Sequence, residues 1–283
     1  MVLAIMYLIS WKKKNISVKM LVKAVIAQFL IAVILVKVPA GRYVVSKVSD
    51  AVTSVINCGQ DGLSFVFGSL ADSTAAAGSV FAIQVLGNIV FLSALVSFLY
   101  YIGILGFVVK WIGKAVGKLM GTSEVESFVA VANMFLGQTD SPMPVAMVAL
   151  VAAVNKLLGV CGISLQQVFS YVFAPFGFFL GLDPSEILLE GNLLGSKLVL
   201  NEFVAFQQLG GMISSMDYRT GMICAISLCG FANFSSLGIC VSGIAVLCPE
   251  KKSTLARLVF KAMLGGVAVS LIGAMVVGLV TLF

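Results

Sequence analysis

Four stretches of this chain carry no charged residue over lengths that a soluble fold does not need: residues 73–109, 157–182, 220–249 and 262–283. A membrane-spanning helix takes about 20 mostly apolar residues, so each stretch is long enough to cross a bilayer. Composition agrees. Of the 283 residues, 60% are hydrophobic and only 11% charged, against about 45–50% and about 25% in a soluble domain. The apolar runs are continuous and do not alternate with period two, which argues against a β-barrel. The chain is expected to be an all-α polytopic protein, multi-pass in the cell (plasma or inner) membrane, with the lipid bilayer as its first partner.

The net charge of +6 falls between the apolar runs, where it sets topology, and does not point to nucleic acid. No histidine is present, and no acid pair stands beside a nucleophile, so an enzyme is not expected. Six cysteines (Cys58, Cys161, Cys224, Cys229, Cys240 and Cys248) show no zinc spacing and read as small packing residues.

Residues 1–11 read as a short first span held inside by Lys12, Lys13 and Lys14, and residues 23–40 as the next. Residues 42–70 are amphipathic and are expected to lie at the interface or to re-enter. A span over 79–109 leads into Lys110, Lys114 and Lys118, whose spacing predicts the basic face of an interfacial helix. Residues 122–145 are broken by Gly137 and Pro142 and read as a re-entrant hairpin. A span follows over 144–160, then an aromatic-rich segment, 165–182, lying partly along the interface. Residues 185–215 form a second broken region. An interrupted span over 219–247 and a last span over 255–283 complete the chain.

Placing Lys12–Lys14, Lys110–Lys118 and Lys251–Arg257 on one side makes the six runs alternate, provided that both broken regions return to the side they entered from. The expected fold is about six spanning helices plus two re-entrant helical hairpins, in an inverted-repeat transporter architecture. Residues 1–120 would be a scaffold or gate and residues 121–283 a transport region.

Broken backbone at membrane depth survives only where it is buried in protein or lines a cavity, and polar side chains there are functional candidates. Two polar islands qualify, Gln138-Thr139-Asp140 beside Gly137 and Pro142, and Asn233–Ser236 after Gly230. Together with Asn192, they offer neutral donors and acceptors and one carboxylate, while Phe231 and Phe234 add flat apolar surface. That set suits a neutral polyhydroxylated or heterocyclic solute better than an anion, which would call for a buried arginine. Asn133 and carbonyls near Gly137 could ligate a hard cation. For Ser227 and Ser270 the reading is hydrogen-bonded glue between helices. A weak internal echo links Glu126-Ser127-Phe128-Val129-Ala130 to Glu202-Phe203-Val204-Ala205.

Three motifs carry a family resemblance. Gly195-Ser196-Lys197, three residues, then Asn201-Glu202-Phe203-Val204-Ala205 resembles the signature of the concentrative nucleoside transporters. Asn133–Pro142 resembles that family's first hairpin tip, and Cys229–Ser236 its broken seventh span. The order is right and the resemblance runs over nearly the whole chain. It implies that Gln138, Thr139 and Asp140 face a nucleobase, that Asn233 and Ser236 face the ribose, and that Phe231 packs on the substrate. It also implies that Asn133 and the carbonyl of Leu136 help to hold a coupling sodium. No cofactor is expected beyond that coupling ion, sodium or a proton, and the assembly implied is a homotrimer.

The chain departs from the family's pattern in three places. Asp140 stands where many relatives have glutamate. Asn192 stands where many have a glutamate three residues before the signature glycine, and Glu190 is on another helical face, since two residues turn a helix by about 200°. Thirdly, Pro144 and Val145 run almost directly into the region resembling a later span, so an internal block after the first hairpin is missing. A cation-coupled nucleoside importer working by alternating access is therefore expected, the alternative being an internally deleted, transport-inactive relative. The hairpin motifs argue against a channel or a generic membrane scaffold.

Overall fold

Short polar caps punctuate an otherwise apolar chain and decide where its helices start. The computed structural model describes residues 2–10, 13–72, 83, 87–135 and 143–283. All the longer elements are α-helices: α1 (Val2–Ile9), α2 (Val18–Val36), α3 (Pro39–Phe67), α4 (Gly87–Tyr101), α5 (Ile104–Met120), α6 (Glu124–Phe135), α7 (Met143–Gly159), α8 (Leu165–Leu180), α9 (Ile187–Val199), α10 (Glu202–Met212), α11 (Tyr218–Leu228), α12 (Phe234–Leu247) and α13 (Lys252–Val280).

Ser164 caps α8 in a reciprocal box with Gln167, and Asp217 caps α11 through the Arg219 N–H. Asn201 and Asn233 cap α10 and α12 through the N–H groups of Val204 and Ser236. Each satisfies a donor that the first helical turn leaves open.

The chain divides into two compact units. The first comprises Met1–Val18, Val25–Val36 and Ser141–Phe283, the second Lys19–Ala24 and Lys37–Asp140.

In the second unit α3 packs on α4, α4 on α5, and α5 on α6. Pro39 opens α3 in the first turn, where its missing N–H costs nothing. The helix then runs unbroken to Phe67, so the re-entrant alternative for residues 42–70 does not hold. Gly103, at φ 83°, separates α4 from α5, and the two helices meet at 79°. The bend therefore lies before Ile104, earlier than the basic face at Lys110 suggested. Gly113 lets α5 approach the backbone of α6 at Phe128, where a Cβ would sit 3.3 Å from Phe128 Cα. Ser127 at this crossing bonds Thr122 Oγ1 at 2.7 Å.

In the first unit α8 and α9 pack along their length, and α13 lies against α11, α12 and α8. Gly191 and Gly195, four residues apart on α9, press against Ser170 and Phe169 of α8, leaving no room for a β-carbon. Small residues at this spacing let helix backbones approach closely in lipid, where apolar contact alone gives no preference for protein over acyl chains. The core between α8, α9, α10, α11 and α13 is filled by Leu193, Leu194, Ala205, Leu209, Ile223, Leu228, Leu271 and Ala274.

Two helices among the described residues are long and apolar enough to cross a membrane, or three if the bent α4–α5 pair counts as one span. That is fewer than the six expected. The run 219–247 is split into helices of 11 and 14 residues, and residues 1–11 yield only an eight-residue helix.

Candidate functional site

The second broken region is a helix–break–helix. α9 ends at Val199, Leu200 and Asn201 leave helical geometry, and α10 begins at Glu202. A second break, Cys229 to Asn233, separates α11 from α12. The structure brings the two breaks together. Asn233 donates from Nδ2 to Glu202 Oε2 at 2.8 Å, and the Ser235 hydroxyl donates to the Leu200 carbonyl at 3.1 Å. Asn233 Oδ1 accepts from both the N–H and the hydroxyl of Ser236, each at 2.7 Å.

Two helix N-termini therefore lie side by side, each with an asparagine cap in extended geometry. Their partial positive ends favour oxygen-rich ligands and the carboxylate of Glu202. Asn233 and Ser236 are buried, Glu202 is half-buried, and Phe231 is exposed beside them in sequence. An amide, a hydroxyl and a carboxylate in one place can donate to and accept from a solute bearing several hydroxyl groups.

Lys197 of the signature serves the break from behind. Only 1% exposed, it donates to the carbonyls of Ser227 (2.8 Å) and Cys229 (3.0 Å) and to Ser270 Oγ (3.1 Å). The carbonyls at a helix C-terminus lack intrahelical partners and carry its negative end, so a lysine there satisfies both. Ser270 adds a bond to the Cys229 carbonyl at 2.7 Å. Ser227 and Ser270 thus join helices α9, α11 and α13. Gly195 is a helix crossing and Asn201 a cap; the motif reaches the Asn233–Ser236 cluster through the Glu202 carboxylate and the Leu200 carbonyl.

Of the other expected residues, only Asn192 has a described side chain. Asn192 is half-buried on α9, its Oδ1 buried without a hydrogen-bond partner among the described residues. Gln138, Thr139, Asp140 and Leu136 lie outside the described residues, and Asn133 is in α6 with its side chain outside them. The first hairpin's tip is therefore not part of the geometry above.

Sequence reasoning treated Glu202 only as part of a motif, and it set Glu190 aside. Both take part in the polar cluster's wiring. Glu190 is fully buried, with Oε1 2.6 Å from Ser227 Oγ. The signal was present: Glu190 and Lys197 are seven residues apart, two turns along one helix face, and that face is buried.

The model for the Na+ dependent nucleoside transporter C-terminus matches residues 141–278, and that for the N-terminus of the same transporters matches residues 1–70. An uncharacterized transporter of Haemophilus influenzae is 29% identical, the match covering 98% of this chain and 95% of that protein. The nucleoside permease NupC of Helicobacter pylori is 26% identical, with 98% and 96% covered. Among solved structures, CNTnw in an inward-facing substrate-bound state superposes with a TM-score of 0.90 at 25% identity, covering 100% of this chain and 96% of that one. A doubly substituted CNTnw in an outward-facing state gives the same TM-score, 0.90, with 99% and 96% covered. The Haemophilus influenzae alignment runs over 395 positions, whereas this chain has 283 residues. More than a hundred aligned positions of that relative thus have no counterpart here.

Proposed function

Because the chain belongs to the concentrative nucleoside transporter family, a family of membrane transporters and not enzymes, we propose that it is a cation-coupled symporter importing nucleosides by alternating access. The observation that carries this reading is the meeting of Asn233, Ser236 and Glu202 at two adjoining helix N-termini. A ribose presents vicinal hydroxyls that both donate and accept. Asn233 and Ser236 bind them, and Glu202 accepts a further hydroxyl, since a carboxylate has room for about four hydrogen bonds. Phe231, 39% exposed, packs on the substrate.

In this reading Gln138, Thr139 and Asp140 of the first hairpin face the nucleobase, Asn192 borders the site, and Asn133 with the Leu136 carbonyl holds sodium. Residues 121–283 move as the transport region against residues 1–120, in a homotrimer in the plasma or inner membrane. The coupling ion is sodium or a proton. Ion binding favours the substrate-competent state, and the linkage of the two equilibria drives uptake.

The length of the Haemophilus influenzae alignment favours a second reading, that this is an internally deleted relative which inserts in the membrane but does not transport. Uptake of labelled uridine into liposomes holding the purified chain separates the two. Accumulation driven by an inward sodium or proton gradient supports the symporter. Uridine binding without gradient-driven accumulation supports the deleted relative, and absence of both sinks the substrate assignment.

A further inference from the structure

Glu190 takes no part in the proposed substrate site, yet it is 0% exposed. An isolated ionised carboxylate in such a place is costly, and it survives only when charge and hydrogen bonds compensate it.

The compensation available to Glu190 can be counted proton by proton. Its Oε1 lies 2.6 Å from Ser227 Oγ, which itself lies 2.8 Å from the Cys224 carbonyl. A serine hydroxyl has one hydrogen. If Glu190 were ionised, both neighbours of Ser227 Oγ would be acceptors, and one of these two short contacts would hold no proton. If Glu190 is protonated on Oε1, its O–H donates to Ser227 Oγ and the Ser227 O–H donates to the Cys224 carbonyl. Each contact then holds one proton. The separation of 2.6 Å fits an O–H···O bond.

The other oxygen gives the same answer. Glu190 Oε2 is buried and has no hydrogen-bond partner among the described residues. A bare carboxylate oxygen there is far more costly than the carbonyl oxygen of a neutral acid.

None of the charged groups around it hydrogen-bonds to Glu190, and the attraction of Lys197 two turns along the same helix is smaller than the cost of burial. On its own helix, Lys197 spends its three hydrogens on the Ser227 and Cys229 carbonyls and Ser270 Oγ. From α11, Cys224 faces Glu190 with a thiol, a weak donor, and Arg219 turns to the Gly181 and Gly278 carbonyls. Glu186, just before α9, bonds Thr220. Glu202 of α10 holds Asn233. The titratable residue of α8, Tyr171, is 70% exposed, and that of α12, Cys240, is an uncharged thiol. On α13, Lys261 reaches back to the Ile9 carbonyl, and Lys252 and Arg257 lie in its first two turns, before Lys261.

We propose that Glu190 is a proton-binding site, and that the proton it holds ties α9 of the second broken region to α11 through Ser227. Release of that proton leaves two acceptors competing for one serine hydrogen, and so loosens α9 from the helix that leads into Asn233. The assignment does not depend on the chain's transporting anything.

Infrared spectroscopy of the purified full chain in liposomes tests it without a transport assay. The expected result near neutral pH is a carboxylic-acid carbonyl band, above the amide band, that is lost in Glu190→Gln and shifts in frequency in Ser227→Ala. Glutamate labelled with 13C at its carboxyl carbon reads the same band in the unsubstituted protein, should Glu190→Gln fail to fold. A labelled band that vanishes on alkalinisation supports the site. Absence near neutral pH of any protonated glutamate band from the labelled protein, or a band that persists unchanged in Glu190→Gln, overturns it.

Discussion

Two helix breaks in this chain look alike in an apolar sequence and are built differently. Between α4 and α5 the chain turns by 79° at Ile102 and Gly103. That turn rests on a glycine at positive φ and is surrounded by exposed apolar residues, Tyr101 at 90% and Phe107 at 64%. Between α11 and α12 the break is knitted by polar groups, the buried Lys197 and Ser270 on one side, the buried Asn233 and half-buried Glu202 on the other. A bend needs only a residue that tolerates the backbone. A site needs the opened carbonyls and N–H groups to be answered by side chains held from other helices.

Lys197→Met is the largest test of that contrast. It removes the donors to two carbonyls and a hydroxyl, and should cost roughly 3 kcal/mol, read as a lower unfolding temperature in detergent. Lys114→Met, on the exposed face of α5, should leave that temperature unchanged. Equal effects from the two would erase the distinction between knitted and unsupported breaks.

Asn233→Ala comes next. Loss of the cap and of the bond to Glu202 should cost about 2 kcal/mol of stability, and uridine affinity should fall at least about tenfold. Gly103→Ala should cost about 1 kcal/mol, because a β-carbon is disfavoured at φ 83°, and leave uridine affinity unaltered. A loss of binding there would mean that the bend serves the site after all. Ser236→Ala should be mildest in stability, about 0.5–1 kcal/mol, since its N–H still bonds Asn233 Oδ1, with a several-fold loss of uridine affinity.

The breaks were legible because their markers are local: Asn201 and Asn233 are strong caps, and Gly230 sits in an otherwise apolar run. What Lys197 touches was not legible. Its acceptors are backbone carbonyls and a serine hydroxyl from 30 to 73 residues away, and carbonyls leave no trace in sequence. Glu190 and Ser227 were hidden for a related reason: each is unremarkable alone, and only the packing of α9 on α11 makes them a pair. Residues 42–70 were legible only in part. Asp50, Asp61 and several glycines left open an interfacial helix or a re-entrant turn; α3 is continuous, which excludes only the turn, and both aspartates are exposed, Asp50 with Lys47 at 3.9 Å. Fewer continuous apolar helices are found among the described residues than the hydropathy runs suggest, because hydropathy sums across a break such as that at Cys229, where the backbone does not.

The central claim is that the joined N-termini of α10 and α12 bind a nucleoside. Titration calorimetry of uridine into the purified chain, beside Asn233→Ala, tests it most directly. The account predicts saturable binding by the unsubstituted chain, weakened at least about tenfold in the variant. No binding by the unsubstituted chain, or equal affinity in both, would contradict it.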